Sequence, residues 1–140
     1  MEVDTEDLAH FQSLLDGPSA AVLMTYRNDG TAASSPVWFR LADSELQVVI
    51  AEGDVKLKHL ASRPVCSLLV FETVAPFRGL RVEGTPTLRR EGVTAARLAI
   101  ASRYLGPEGG ERFTEARGRA LILSLPLSQA RSWDLSAILP

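Results

Sequence analysis

Asn28-Asp29-Gly30 stands between two apolar runs, Ala20 to Arg27 and Ala33 to Arg40. A turn of that composition reaches positive φ at little steric cost and joins neighbouring antiparallel strands. The same alternation of short run and breaker repeats along the chain. Ala42-Asp43-Ser44 precedes Leu46 to Ala51, Arg63-Pro64 precedes Val65 to Glu72, and Ala75-Pro76 precedes Leu80 to Leu88. Ala120 to Leu125 and Gln129 to Leu135 complete the set of predicted strands. In the second run Ser35, Val37 and Phe39 share one face, and Ser34 and Trp38 the other. Gly84 marks a bulge or a close backbone approach inside its strand.

Helical patterns are few. Leu8, Phe11, Leu14 and Leu15 define a short amphipathic helix with Thr5 as its N-cap and Gly17-Pro18 as its stop. Asp54 caps a two-turn helix from Val55 to Ser62, and a longer one runs from Val93 to Tyr104. Gly106-Pro107 separates the latter from a shorter helix near Glu111 to Ala116. Short strands with tight turns and no βαβ alternation predict a mainly β, antiparallel barrel. No linker or repeat divides it, so residues 1–140 are expected to form one domain.

The chemistry available to such a chain is narrow. Cys66 is the single cysteine, set between Val65 and Ser67 in a strand, which excludes an internal disulfide and reads as a buried inert thiol. His10 and His59 belong to no zinc or nucleophile motif, and no phosphate-cradling glycine loop occurs. Acid pairs such as Asp4 with Glu6 or Asp7 read as solvated helix charges, and no metal site is expected. A net charge of −2 gives no broad nucleic-acid footprint. No apolar run is long enough to span a membrane, and the acidic start Met1-Glu2-Val3-Asp4 is unlike a signal peptide, so the cytoplasm is expected. An enzyme built from these residues needs a borrowed cofactor for its reactive step.

Two segments offer places to hold one. Lys56 and Lys58, the only lysines among fifteen basic residues, lie at or just past the first turn of the Val55 helix. A helix N-terminus there presents free N–H groups to an anion, and two ammonium groups can reach the same phosphate. The competing reading is two solvated lysines. Ser34-Ser35-Pro36-Val37-Trp38 is the other segment, with two hydroxyls for a polar chain and an indole to wall an aromatic ring. Its competing reading is a hairpin strand with a core tryptophan. Trp133 divides in the same way between core and interface.

Taken in order, Asn28-Asp29-Gly30 leading into Ser35-Pro36-Val37-Trp38-Phe39, Lys56-Leu57-Lys58-His59-Leu60 with Arg63-Pro64, Arg81-Val82-Glu83-Gly84, Arg103-Tyr104-Leu105-Gly106 and Ser132-Trp133 resemble the pyridoxamine 5′-phosphate oxidase-like superfamily. These are the FMN-binding split β-barrels, and the nearest likeness is to the coenzyme F420-dependent oxidoreductases. The resemblance implies a homodimer with two cofactor sites at the interface. It implies that the strand from Ser35 runs along the ring, that Val49, Ile50 and Ala51 give backbone contacts, and that Lys56 holds the phosphate with Lys58 close by. It further implies that Trp133 approaches the site from the partner subunit.

The chain also departs from that pattern. Asp54 and Val55 stand where many relatives have an arginine, leaving Arg78 or Arg81 to supply that charge. Gly79 stands where the pyridoxamine oxidases place a flavin-contacting glutamine, and the sequence ends soon after Trp133, without their substrate-gripping arginine segment. The expectation is therefore a coenzyme F420-dependent oxidoreductase delivering hydride to a small unsaturated substrate, and not a true pyridoxamine 5′-phosphate oxidase. The alternatives are an FMN-dependent oxidoreductase of the same fold and a non-catalytic flavin or deazaflavin carrier. Arg27, Arg40, Arg78 and Arg81 are candidates for the basic surface that an acidic deazaflavin tail requires. No residue is nominated as a catalytic acid or base.

Overall fold

The computed structural model describes the chain from residue 5 to residue 140, with side chains from residue 9. Asp4 and the side chains of Thr5, Glu6, Asp7 and Leu8 lie outside what is described, and with them the Thr5 cap, the Leu8 position and the acidic group. In chain order the elements are α1 (Thr5–Asp16), β1 (Ala20–Tyr26), β2 (Ala32–Val37), β3 (Arg40–Ala42), β4 (Glu45–Ala51), α2 (Val55–Ser62), β5 (Cys66–Phe71), β6 (Gly79–Gly84), β7 (Thr87–Arg89), α3 (Val93–Glu115), β8 (Ala120–Pro126) and β9 (Arg131–Trp133). The described chain is mainly β with three α-helices. Its strands form two antiparallel sheets, ordered β2-β1-β5-β6-β9 and β3-β4-β8-β7. No described helix is long and apolar enough to cross a membrane.

The first hairpin forms as its turn chemistry demands. Gly30 has φ 89°, and the Asp29 carboxylate accepts from Thr31 N at 3.0 Å and Thr31 Oγ1 at 2.7 Å. Those bonds, led by the Thr31 hydroxyl, hold the Asp29 carboxyl below the usual carboxylate range. Arg27 N donates to Thr31 O at 2.8 Å, and the ladder then runs from Tyr26 opposite Ala32 to Ala21 opposite Val37. Pro36 is accommodated because β2 is an edge strand and its missing donor breaks no second ladder.

Two of the expected strands are each divided between the sheets. Ala33 to Arg40 becomes β2 in one sheet and the start of β3 in the other, with Trp38 and Phe39 at the corner. Leu80 to Leu88 becomes β6 and β7, parted after Gly84. Pro86 has no N–H for a ladder, and an added Cβ at Gly84 would stand 3.1 Å from Gln129 Oε1, so the backbone turns away there. Apolar patterning continues through the first corner, because Phe39, which is fully buried, still faces the core, whereas beyond Gly84 all three residues of β7 are exposed.

That core lies between the sheets. Leu23, Leu68, Val70, Leu80 and Val82 meet Leu46, Val48, Ile50, Leu123 and Leu125, and Phe11, Leu14 and Leu15 of α1 pack onto the same cluster. Each fully buried leucine contributes about 1.5–3 kcal/mol of transfer free energy. β8 is buried on both faces from Ala120 to Leu125, since α3 packs against β4 and β8. α3 breaks at Gly106, which has φ 79° and ψ 169°, conformations open to glycine. Its second half packs closely on its first: an added Cβ at Gly110 would stand 2.9 Å from Ser102 Cα.

Candidate functional site

A cavity of about 440 Å³ opens where the end of β2, the exposed edge of β4, the start of α2 and both halves of α3 converge. That volume falls in the range of small-molecule sites. Its apolar side comes from Pro36, Val37, Trp38, Val48, Val49, Ile50 and Ala51, with Ile100, Ala101 and Phe113 from α3. Its polar side is Asp54, Lys56, Arg97 and Arg117. The β4 edge has a structural cause. β3 pairs with β4 only from Glu45 to Gln47, whereas β8 pairs with it from Glu45 to Ala51. From Val48 onward one edge of β4 therefore has no strand partner among the described residues, which leaves backbone N–H and C=O groups of Val48 to Ile50 for a ligand.

At the start of α2 the chain places its own anion. Asp54 is the N-cap, accepting from Lys56 N at 2.9 Å, and its other carboxylate oxygen lies 3.2 Å from Lys56 Nζ. The carboxylate supplies the cap and dipole partner that a bound phosphate would otherwise supply. Lys58 does not reach the cavity. Residues two apart on a helix are rotated by about 200°, so Lys58 is exposed on another face of α2. Asp54→Asn keeps an oxygen for the cap and removes the charge. It should tighten phosphate binding by up to about fivefold, the scale of a partly exposed ion pair. Isothermal titration with inorganic phosphate checks this; unchanged affinity would show that Asp54 does not compete.

Two arginines that sequence reasoning passed over complete the site. Arg97 is 8% exposed, and its Nη1 donates to Gly118 O at 2.9 Å. Burial draws its pKa below the ordinary guanidinium value, and Arg117 beside it acts in the same direction. Among the described residues neither arginine has a carboxylate within salt-bridge distance. A signal for Arg97 existed: it interrupts the apolar stripe of Ala96, Ile100 and Ala101. Arg117 had none, because only the break at Gly106 and the following turn bring it back to Arg97.

The aromatic wall is held from several directions. Trp38 stacks on Tyr104 at 5.2 Å between ring centroids and 10° between planes, and Phe113 lies 5.0 Å away at 49°. Tyr104 Oη donates to Ser19 O at 2.9 Å and accepts from Phe39 N at 3.4 Å, which fixes its ring. Burial raises the Tyr104 pKa. Arg117 sits 4.1 Å over the Phe113 ring and Arg103 4.8 Å over that of Phe39. Arg103 also donates to Leu15 O at 2.8 Å and to Gly17 O, tying α3 to the end of α1.

Of the residues expected from sequence, Pro36, Val37, Trp38, Val49, Ile50, Ala51 and Lys56 meet in this cavity. Ser34 and Ser35 do not line it. Ser35 stands opposite the core residue Leu23, and opposed residues share a face, so it turns inward with its buried Oγ unpartnered; Ser34, opposite Met24, is exposed. Arg78 is engaged elsewhere, donating to Glu72 at 2.7 Å and to His10 O at 2.8 Å. That pairing holds the Glu72 carboxyl below its usual range. Trp133 lies on β9, its indole over Gly79 of the neighbouring strand β6. Cys66 is buried, and burial pushes its thiol pKa up to about 12.

The pyridoxamine 5′-phosphate oxidase family pattern matches residues 8–134. Among solved structures, the conserved hypothetical protein Rv2991 from Mycobacterium tuberculosis superposes with a TM-score of 0.80 at 22% identity, over 99% of this chain and 91% of that one. An F420 reductase gives 0.68 at 22% identity, over 86% of this chain and 94% of that one. An FAD and heme binding protein from Mycobacterium smegmatis gives 0.70 at 20% identity, over 99% of this chain and 74% of that one. At these identities the likeness is one of fold. No curated protein matches the sequence at a significant level.

Proposed function

The chain belongs to the pyridoxamine 5′-phosphate oxidase family, and from that premise we propose that it is an oxidoreductase using a phosphate-bearing deazaflavin, coenzyme F420, with FMN as the alternative cofactor. One observation carries the reading: an apolar and aromatic wall faces three cationic side chains, two of which have no carboxylate partner among the described residues. A planar tricycle with a phosphate chain has the same division. Lys56, Arg97 and Arg117 would hold the phosphate, the unpaired edge of β4 would meet the polar rim of the ring, and Trp38, fixed by Tyr104 and Phe113, would close one side. These residues fit the group.

When bound and reduced, the deazaflavin supplies a hydride to a small unsaturated substrate. The protein's own part is to orient, exclude water and balance charge. Among the described residues no histidine, cysteine or tyrosine lines the cavity, and on this reading the proton is drawn from solvent. Dimerisation, with two cofactor sites at the interface of a split barrel, belongs to the same proposal; light scattering should give the mass of two chains, and a clean monomer would remove the shared-site arrangement. A location in the cytoplasm accompanies it. The F420 preference is supported by the fold likeness to an F420 reductase and by arginines beyond the phosphate-holding group.

Side-by-side titration of the purified protein with coenzyme F420 and FMN at fixed salt tests the reading. Micromolar or tighter F420 binding with weaker FMN binding is expected. The reverse order would assign the FMN alternative, and binding of neither would overturn the redox function. Turnover with a panel of enones and quinones then separates an enzyme from a carrier.

A further inference from the structure

We propose that the second half of α3 and the turn after it, residues 107–117, form a hinged gate on the cavity. Opening it lets a planar conjugated substrate take the place of Phe113 against Trp38. Glycines stand at both ends of the segment, Gly106 and Gly118. An added Cβ would meet nothing within 4 Å at either of them, so neither serves a close packing contact. Gly106 instead holds φ 79° and ψ 169°, a region that residues with side chains almost never enter. The two halves of the helix therefore meet at a joint that only glycine can form.

Little holds the segment down among the described residues. Gly110 is its single buried residue, seated where an added Cβ would stand 2.9 Å from Ser102 Cα. Glu108, Glu111, Arg112, Glu115 and Ala116 are exposed. Phe113 is its one large apolar side chain, half-buried, with its ring 5.0 Å from that of Trp38. Two further contacts are internal: the Thr114 hydroxyl donates to Gly110 O, and Arg117 lies over Phe113. The first half differs, with Ala96, Ile100 and Ala101 buried where α3 packs on β4 and β8. A segment with so few buried apolar contacts opens at a fraction of the free energy of global unfolding.

Closed, the gate contributes Phe113 to the wall of the cavity. Trp38 does not depend on it for position. Tyr104 stacks on the indole at 10° between planes, and its hydroxyl is tied to Ser19 O and Phe39 N. When Phe113 swings away, the indole therefore stays and offers a fixed flat surface. A planar conjugated ring regains the aromatic contact that Phe113 gives up, and a saturated substrate does not. The occupant's role as substrate rests on the function proposed above; the gate rests on the joint and the sparse contacts.

The test uses the full chain in a Trp133→Phe background, where Trp38 is the one remaining tryptophan. Gly106→Ala removes the joint without creating a contact, and Phe113→Ala removes the cover. Gly92→Ala is the matched control, with φ 77° and equally open space at the opposite end of α3. Acrylamide quenching reads access to Trp38 with no cofactor present. Gly106→Ala and Phe113→Ala should each raise the quenching constant about twofold or more, and together no further, because both act through one opening. Gly92→Ala should leave it unchanged. Menadione, a planar quinone, should bind saturably and associate about tenfold faster with Gly106→Ala, since association scales with the open fraction.

Hydrogen exchange gives a second reading on the unsubstituted chain: amides of residues 108–117 should exchange about tenfold or more faster than those of residues 96–104. Equal protection along both halves of α3, or native quenching in a folded Gly106→Ala variant, overturns the gate. Menadione association that is the same with and without Gly106→Ala overturns the substrate's place against Trp38. Gate readouts that hold while neither F420 nor FMN binds would keep the gate and remove the redox function. Cofactor binding with a rigid segment would do the reverse.

Discussion

Arg97→Met weakens the binding of a phosphate-bearing cofactor by about ten- to a hundredfold, about 1.5–3 kcal/mol, and leaves the ligand-free protein as stable as before or more so. The two halves of this expectation have one cause. Arg97 is 8% exposed, lies beside Arg117 and has no carboxylate partner among the described residues. Its single hydrogen bond goes to the carbonyl of Gly118, an exposed residue whose oxygen can turn to water. Removing the charge strands no buried counterion, which is the usual reason such substitutions are costly. Methionine keeps most of the volume against Ile100 and Ala101. Titration calorimetry with the cofactor, together with thermal melts of the free protein, checks both halves. A folded variant with native affinity would exclude Arg97 from the phosphate-holding group.

Gly79→Gln should destabilise the fold by about 1–3 kcal/mol, the range for overfilling a packed site. It installs the residue that the pyridoxamine oxidases carry at this position. The space is taken: an added Cβ would stand 2.6 Å from Cε2 of Trp133, whose strand β9 is hydrogen-bonded to β6 with Gly79 opposite Trp133. The indole is a rigid bicycle and cannot yield as a flexible chain end would. In a Trp133→Ala background the same glutamine finds room, so the pair of substitutions should be coupled by about 1 kcal/mol or more. Urea unfolding of the four proteins gives the cycle. Additive costs would show that Trp133 leaves Gly79 in solution, as an indole reaching toward a partner subunit's site would.

Much of the architecture follows from chemistry acting over a few residues. Asn28-Asp29-Gly30 set the first hairpin because positive φ and an Asp carboxylate bonding Thr31 are local. Asp54 began α2, and Gly106-Pro107 broke α3, for equally local reasons. With two histidines and one cysteine, an enzyme of this sequence would need a borrowed cofactor, which is a matter of composition alone. Lys56, Trp38 and the Val49-Ile50-Ala51 segment were named from the residues or the family resemblance, and they meet in one cavity.

What depended on distance along the chain was invisible there. Two expected strands change sheets, at Trp38-Phe39 and at Gly84-Pro86: buried Phe39 keeps the first pattern running around its corner, and the second change is set by the pairing of β7 with β8. Lys56 and Lys58 looked like one anion grip, and helical rotation sends them to different faces. Ser35 looked like a ligand for a polar chain, and its register with Leu23 turns it toward the core. Arg97 and Arg117 meet only because α3 breaks and its second half packs on its first. Periodicity and turn chemistry reach a few residues; convergence of side chains twenty apart is settled by packing, and the cationic end of the cavity is of that second kind.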